Sequence, residues 1–136
     1  MKFQLKVSVA SKGVAEGEAL VCKKPFTFRD VNPTTGIVDT PGHELIGSKV
    51  TEKIMICPYS NGVSTEEFTM YALKKAGLLP KAIINGRNTF YISIAGAILA
   101  GIPMVYGLAP ACLSLIQNGD CVKVDADQGI VEVSRV

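Results

Sequence analysis

Ile54-Met55-Ile56-Cys57-Pro58-Tyr59-Ser60-Asn61-Gly62-Val63-Ser64-Thr65-Glu66-Glu67-Phe68-Thr69-Met70-Tyr71-Ala72-Leu73-Lys74-Lys75-Ala76-Gly77 is the stretch that decides the fold. The unbroken apolar run Ile54 to Cys57 has the pattern of a strand covered on both faces, and it feeds a polar loop from Pro58 to Thr65. A helix is predicted from Glu66 to Ala76. Phe68, Tyr71, Ala72 and Ala76 fall on one side at helical spacing, with Glu66, Lys74 and Lys75 largely elsewhere. Gly77 suits the residue just past the helix, and Pro80 prevents continuation. A helix beginning at the end of such a loop presents unpaired N–H groups and the positive end of its dipole, an arrangement that favours anions.

Working outward, Ala82-Ile83-Ile84 reads as a second buried strand and Asn85-Gly86-Arg87-Asn88 as a turn. Ile92 to Ala100 is a compact apolar helix ending at Gly101, and Pro103-Met104-Val105-Tyr106 a further strand. Strand, helix, strand, helix, strand in succession generates parallel pairing by crossover. The flanks are richer in strands. Phe3 to Val9 alternates apolar and polar residues, Gly17 to Cys22 does so less cleanly, and Asn32-Pro33-Thr34-Thr35-Gly36 breaks the chain before Ile37-Val38. Beyond the centre lie a short helix around Ala111 to Ile116, the turn Asn118-Gly119-Asp120, and a hairpin from Cys121–Val124 to Ile130–Val133. The chain reads as one α/β domain spanning 1–136, with β-rich ends around a β-α-β-α-β centre.

Composition narrows the function. With 48% apolar and 19% charged residues over 136 positions, the chain can bury a proper core without disulfides. Its 14 Lys and Arg are scattered in ones and twos and the net charge is +2, so no basic stripe tracks a nucleic acid. Met1 to Lys6 lacks the apolar core of a signal peptide, and Gly96, Gly101 and Pro103 interrupt the apolar segment Ile92 to Val105, so the expectation is a cytoplasmic protein without a membrane span. Cys22, Cys57, Cys112 and Cys121 form no C-x-x-C pair, and His43 is the only histidine. No cofactor is therefore expected on this chain alone, and its cysteines read as reduced core hydrophobes.

Several segments, taken in order, resemble one family. They are Ala15-Glu16-Gly17-Glu18-Ala19-Leu20-Val21, the Phe26 to Val38 stretch, His43-Glu44-Leu45-Ile46-Gly47, Lys53 to Pro58, Ala76 to Asn85, Ile102-Pro103 and Gly119 to Gly129. Together they are similar to the aconitase X swivel-domain family, the small subunits of phosphomevalonate dehydratase and cis-3-hydroxyproline dehydratase. The resemblance implies a swivelling β/β/α domain beside a large aconitase X-type subunit that holds an iron or iron–sulfur centre, with the active site between the two. It further implies a hydro-lyase reaction on a small hydroxy acid. In the family a serine in a Gly-Ser-rich loop just before a helix is proposed to act as base, and that loop aligns with Tyr59 to Thr65. Here Gly62 is followed by Val63, with Ser64 one position later and Glu66-Glu67 in place of small residues.

Valine cannot accept a proton, so Ser64 is the catalytic candidate, with Ser60, Asn61, Gly62 and Thr65 as substrate-binding candidates. The alternative is a non-catalytic scaffold of the same fold, marked by Val63. Ser64-Thr65-Glu66-Glu67 also matches a capping box, which would explain Ser64 without chemistry. Arg29 is a candidate carboxylate clamp or simply a partner of Asp30, and His43 is placed in a loop facing solvent or the partner. A phosphohistidine carrier is disfavoured because no Gly-Gly-x-x-x-His loop precedes His43. The acidic first turn already occupies the favourable dipole position, which tilts the substrate toward a cis-3-hydroxyproline-like acid over mevalonate 5-phosphate.

Overall fold

The computed structural model describes residues 1–59, 65–87, 89 and 91–135. Its strands are β1 (Lys2–Lys6), β2 (Ser8–Ser11), β3 (Val14–Val21), β4 (Lys53–Cys57), β5 (Ala82–Gly86), β6 (Met104–Leu108), β7 (Cys121–Asp125) and β8 (Ile130–Ser134). The helices are α1 (Glu66–Ala76), α2 (Tyr91–Ala100) and the single turn α3 (Pro110–Leu113), with a 3-10 turn over Phe28–Asp30.

All these strands join one sheet in the order β1-β8-β7-β3-β4-β5-β6-β2. β3, β4, β5 and β6 run parallel. Their neighbours β7, β8, β1 and β2 pair antiparallel. The central strand-helix-strand-helix-strand unit is as the hydrophobic runs predict, because β4 and β5 are buried on both faces. On one side Met55, Cys57, Ile83 and Met104 pack under α1 and α2 and the irregular segment 22–50. On the other, Ile54, Ile56, Ile84 and Val105 meet Val122, Val124, Val131 and Val133 of the C-terminal hairpin.

Four local readings change. The alternating run Phe3 to Val9 is two strands, broken at Val7, whose N–H donates to Gly129 O at 3.0 Å. Ile37-Val38 forms only isolated bridges, to Lys49 and Val31. Asn85 and Gly86 belong to β5 rather than to a turn: Gly86 N donates to Pro58 O at 2.8 Å, and a Cβ there would sit 2.6 Å from that oxygen. The glycine serves a close approach of backbones. Finally, α1 buries Glu66, Met70 and Leu73, while Phe68 and Tyr71 of the expected apolar side are 67% and 48% exposed. Gly77 does close α1 as predicted, in the left-handed region with φ 72° and its N–H on Leu73 O and Lys74 O. Among the described residues no helix is long and apolar enough to cross a membrane.

The C-terminal end is pinned by a fork. Arg135 donates through Nε to Asp120 Oδ1 at 2.8 Å and through Nη2 to Asp120 Oδ2 at 2.7 Å, and Gln117 N adds a bond at 2.8 Å. Asp120 is 3% exposed. The Arg135 hydrogen bonds outweigh the cost of burial and hold its carboxyl below the usual carboxylate range. The unfolded chain therefore binds the extra proton between the depressed value and the ordinary one near ~3.9, so this contribution is complete above that pH and is lost as pH falls through the depressed value. Asp120→Asn should destabilise by about 1–3 kcal/mol at pH 7 in urea melts, with the gap to wild type shrinking below pH ~3.5. A gap independent of pH would contradict this assignment.

Candidate functional site

Open α/β sheets bind ligands in the crevice outside the carboxyl ends of their parallel strands. In this chain β3 ends at Val21, β4 runs into Pro58-Tyr59, β5 ends at Gly86-Arg87 and β6 at Leu108, and these residues surround a cleft of about 440 Å³. Cys22, Lys23, Pro110, Leu113 and Ser114 complete its lining. The floor is held by backbone bonds: Gly86 N to Pro58 O, Cys22 N to Ile56 O at 2.8 Å, and Phe26 N to Tyr59 O at 3.2 Å. Most of the wall is apolar. The charged side chains lining it are Lys23 and Arg87.

Of the residues singled out from the sequence, Ser60, Asn61, Gly62 and Ser64, together with Val63, lie outside the described residues. They connect Tyr59 on the cleft wall to Thr65 at the head of α1. Thr65 is exposed and occupies the N-cap, with φ 76° and no side-chain capping bond. A β-branched residue in the left-handed region costs on the order of 1–3 kcal/mol, so the chain enters α1 under local strain. Phe68 N and Thr69 N bond to Thr65 O. The cap thus falls one residue later than the Ser64-to-Glu67 capping box requires.

Glu66 has turned inward. Its Oε2 accepts from Phe28 N at 3.0 Å and its Oε1 from the Ser93 hydroxyl, with the residue only 1% exposed. One carboxylate thereby ties α1, α2 and the 3-10 turn together at the head of α1. Glu67 stays close by, with Oε2 buried and lacking a hydrogen-bond partner. Neither acid lines the cleft.

Arg29 is exposed, and its N–H bonds to Thr27 Oγ1 at 3.2 Å. It is not among the cleft-lining groups, nor does it pair with Asp30, whose oxygens face Thr40 Oγ1 at 2.8 Å and His43 Nε2 at 3.5 Å. His43 is not solvent-facing: its side chain is 11% exposed and its ring stands edge-on to Phe26 at 5.6 Å. Its Nδ1 accepts from Leu45 N at 3.0 Å, which leaves the proton on Nε2, toward Asp30. That is a structural histidine.

Three of the four thiols are shifted upward. Burial pushes Cys22 up to about 12 despite an opposing bond to the Lys24 amide, with Glu44 adding to the rise. Burial likewise pushes Cys57 up, with Cys22 and Glu66 contributing. Cys121 is raised by its hydrogen bond to Glu16. Burial alone would raise Glu44, but the Lys23 and Lys24 amides at 3.1 and 2.9 Å and the Cys22 thiol outweigh it and hold the carboxyl low. Among the described residues no three His, Cys, Asp or Glu cluster as a metal would require. The described residues of this chain do not fit an iron or iron–sulfur centre.

Sequence reasoning passed over Lys23 and Arg87. The available signal was positional: each is the first basic residue beyond the end of a strand that pairs in parallel with β4.

The chain is similar to known proteins along nearly its whole length. Residues 4–133 match the family model described as the aconitase X swivel domain. The phosphomevalonate dehydratase small subunit of Pyrococcus furiosus is 42% identical over 123 residues, covering 90% of this chain and 89% of that protein. That of Methanococcoides burtonii is 35% identical, covering 96% of each. The crystal structure of Thermococcus kodakaraensis aconitase X in its holo-form superposes with a TM-score of 0.90 at 38% identity, over 97% of this chain and 98% of that one.

The inward carboxylate is testable. Glu66→Ala leaves the Phe28 amide and the Ser93 hydroxyl without this acceptor and should cost about 2–4 kcal/mol in chemical denaturation. Glu66→Gln should cost less, since its carbonyl still accepts from Phe28 N and the Ser93 hydroxyl can turn to accept from its amide. Equal stability of Glu66→Ala and wild type would exclude the lock.

Proposed function

Since the chain belongs to the aconitase X swivel-domain family, we propose that it is the small subunit of a heteromeric hydro-lyase that dehydrates mevalonate 5-phosphate at an interface with a large aconitase X-type subunit in the cytoplasm. The observation that carries this reading is the similarity, over about nine tenths of both chains, to proteins named small subunits of phosphomevalonate dehydratase. The scaffold alternative rests on Val63 alone.

The relatives' names also move the substrate from a hydroxyproline-like acid to mevalonate 5-phosphate. The sequence argument against a phosphorylated substrate was the acidic first turn of α1. That argument weakens once Glu66 is bonded into the core and neither acid lines the cleft.

In the reaction a proton leaves the carbon next to the carboxylate while the hydroxyl on the following carbon departs as water, giving an unsaturated acid. Ser64 is the base on this chain, and the large subunit supplies the group that activates it, because a serine hydroxyl is far from ionised at neutral pH. The loop 60–65 and the cleft bind and orient the substrate. An iron or iron–sulfur centre held by the large subunit would supply Lewis-acid chemistry. This chain contributes half of a site, and dehydration therefore requires both subunits.

Reconstituting the chain with its large subunit should give turnover of mevalonate 5-phosphate that neither subunit shows alone. Ser64→Ala in the reconstituted enzyme should lower kcat by at least about a hundredfold with little change in thermal stability. An inactive pair would overturn the reading. Retained kcat in the variant would remove Ser64 from the reaction.

A further inference from the structure

We propose that Lys23 and Arg87 form a cationic pair that holds the phosphate group of the substrate, making them the residues that select a phosphorylated acid over a plain one. This rests on reading the chain as the small subunit of a phosphomevalonate-type dehydratase, and it adds the atoms that recognise the substrate's non-reacting end.

Position is the first argument. Lys23 follows the end of β3 by two residues, and Arg87 is the first residue past β5. β4 lies between them in the sheet, paired in parallel with both. Two inter-strand spacings separate β3 from β5 by roughly 10 Å at the backbone. Side chains as long as lysine and arginine can both reach one small anion across that gap. Both line the same cleft, one on each side of Pro58-Tyr59.

Charge is the second argument. The ion pairs among the described residues engage Lys2, Lys53, Lys81, His43 and Arg135, and none engages Lys23 or Arg87. Among the described residues no carboxylate lines the cleft. The acid bonded at this corner, Glu44, accepts from the amides of Lys23 and Lys24 and lines an adjoining depression with Asp30 and His43. Two cations whose side chains form no ion pair among the described residues match a phosphate, which carries between about −1.5 and −2 at pH 7, better than a carboxylate with one charge.

Chemistry is the third. A wall of Val21, Pro58, Leu108 and Leu113 suits the short carbon chain between phosphate and hydroxy acid. The carboxylate end carries the proton and hydroxyl that are lost, so it must face the loop 60–65 and the large subunit. The phosphate end is then left to this chain's cleft. Binding energy from a remote, non-reacting group of this kind sets both affinity and selectivity.

The test uses the reconstituted two-subunit enzyme with Lys23→Met, Arg87→Met, both together, and Arg87→Lys. The Met variants keep the aliphatic stems that pack on the wall, and thermal melts confirm folding. Each Met variant should raise KM for mevalonate 5-phosphate about tenfold or more with kcat within a few-fold, the double variant more still, and Arg87→Lys should fall between wild type and Arg87→Met. Inorganic phosphate should compete with substrate in wild type and lose that competition in the double variant. An active wild type whose KM and phosphate inhibition are unmoved by the double variant overturns the pair while leaving the dehydratase reading intact. A wild-type complex that does not turn over mevalonate 5-phosphate overturns that reading and the pair with it.

Discussion

The structure depends on one constraint of connectivity. β1 and β2 occupy the two outer edges of the sheet, yet a single residue, Val7, separates them in the chain. A flat sheet cannot satisfy this, so the strands must curl until the two edges approach each other. The curl encloses the valine-rich inner face of the C-terminal hairpin against Ile54, Ile56, Ile84 and Val105. The two edge strands are short, at five and four residues, which limits pairing with another chain. The parallel strands are thereby fixed side by side with their carboxyl ends turned to one rim, where the cleft opens.

Around that rim, structure and charge work together. The Glu66 carboxylate joins α1, α2 and the 3-10 turn at the head of α1. The charged residues lining the cleft, among those described, are Lys23 and Arg87, and neither acid of the first turn lines it. The strained backbone of Thr65 lies where the loop meets the helix, a location at which strain commonly accompanies function.

Much of the fold was legible because the central strands are continuous apolar runs and the helices between them end at glycines. The hairpin from Cys121 to Ser134 was equally plain, as its two halves alternate around a turn. What failed did so for identifiable reasons. The alternation from Phe3 to Val9 continues through the strand change, since Val7 carries no turn signal. Asn85-Gly86 has the composition of a turn, but its glycine answers to the Pro58 carbonyl of the neighbouring strand. The buried face of α1 was misassigned because hydropathy ranks phenylalanine above glutamate, and nothing local announces that Phe28 N and Ser93 will satisfy a carboxylate. Of the site, the strand before the loop and the helix after it were readable, β4 ending at Cys57 and α1 starting at Glu66. Lys23 and Arg87 look like ordinary surface residues until the sheet order brings them to the same opening.

The central claim is that this chain displays half of an active centre at the carboxyl rim of β3 to β6, and that a large subunit completes it. Amide hydrogen exchange on the chain alone and in complex with the large subunit tests this most directly. The account predicts new protection at Tyr59, at Thr65 and the start of α1, at Arg87, and over residues 111–115, with β1, β8 and β7 unchanged. Protection confined to β1, β8 and β7, with the rim exchanging as in the free chain, would contradict it.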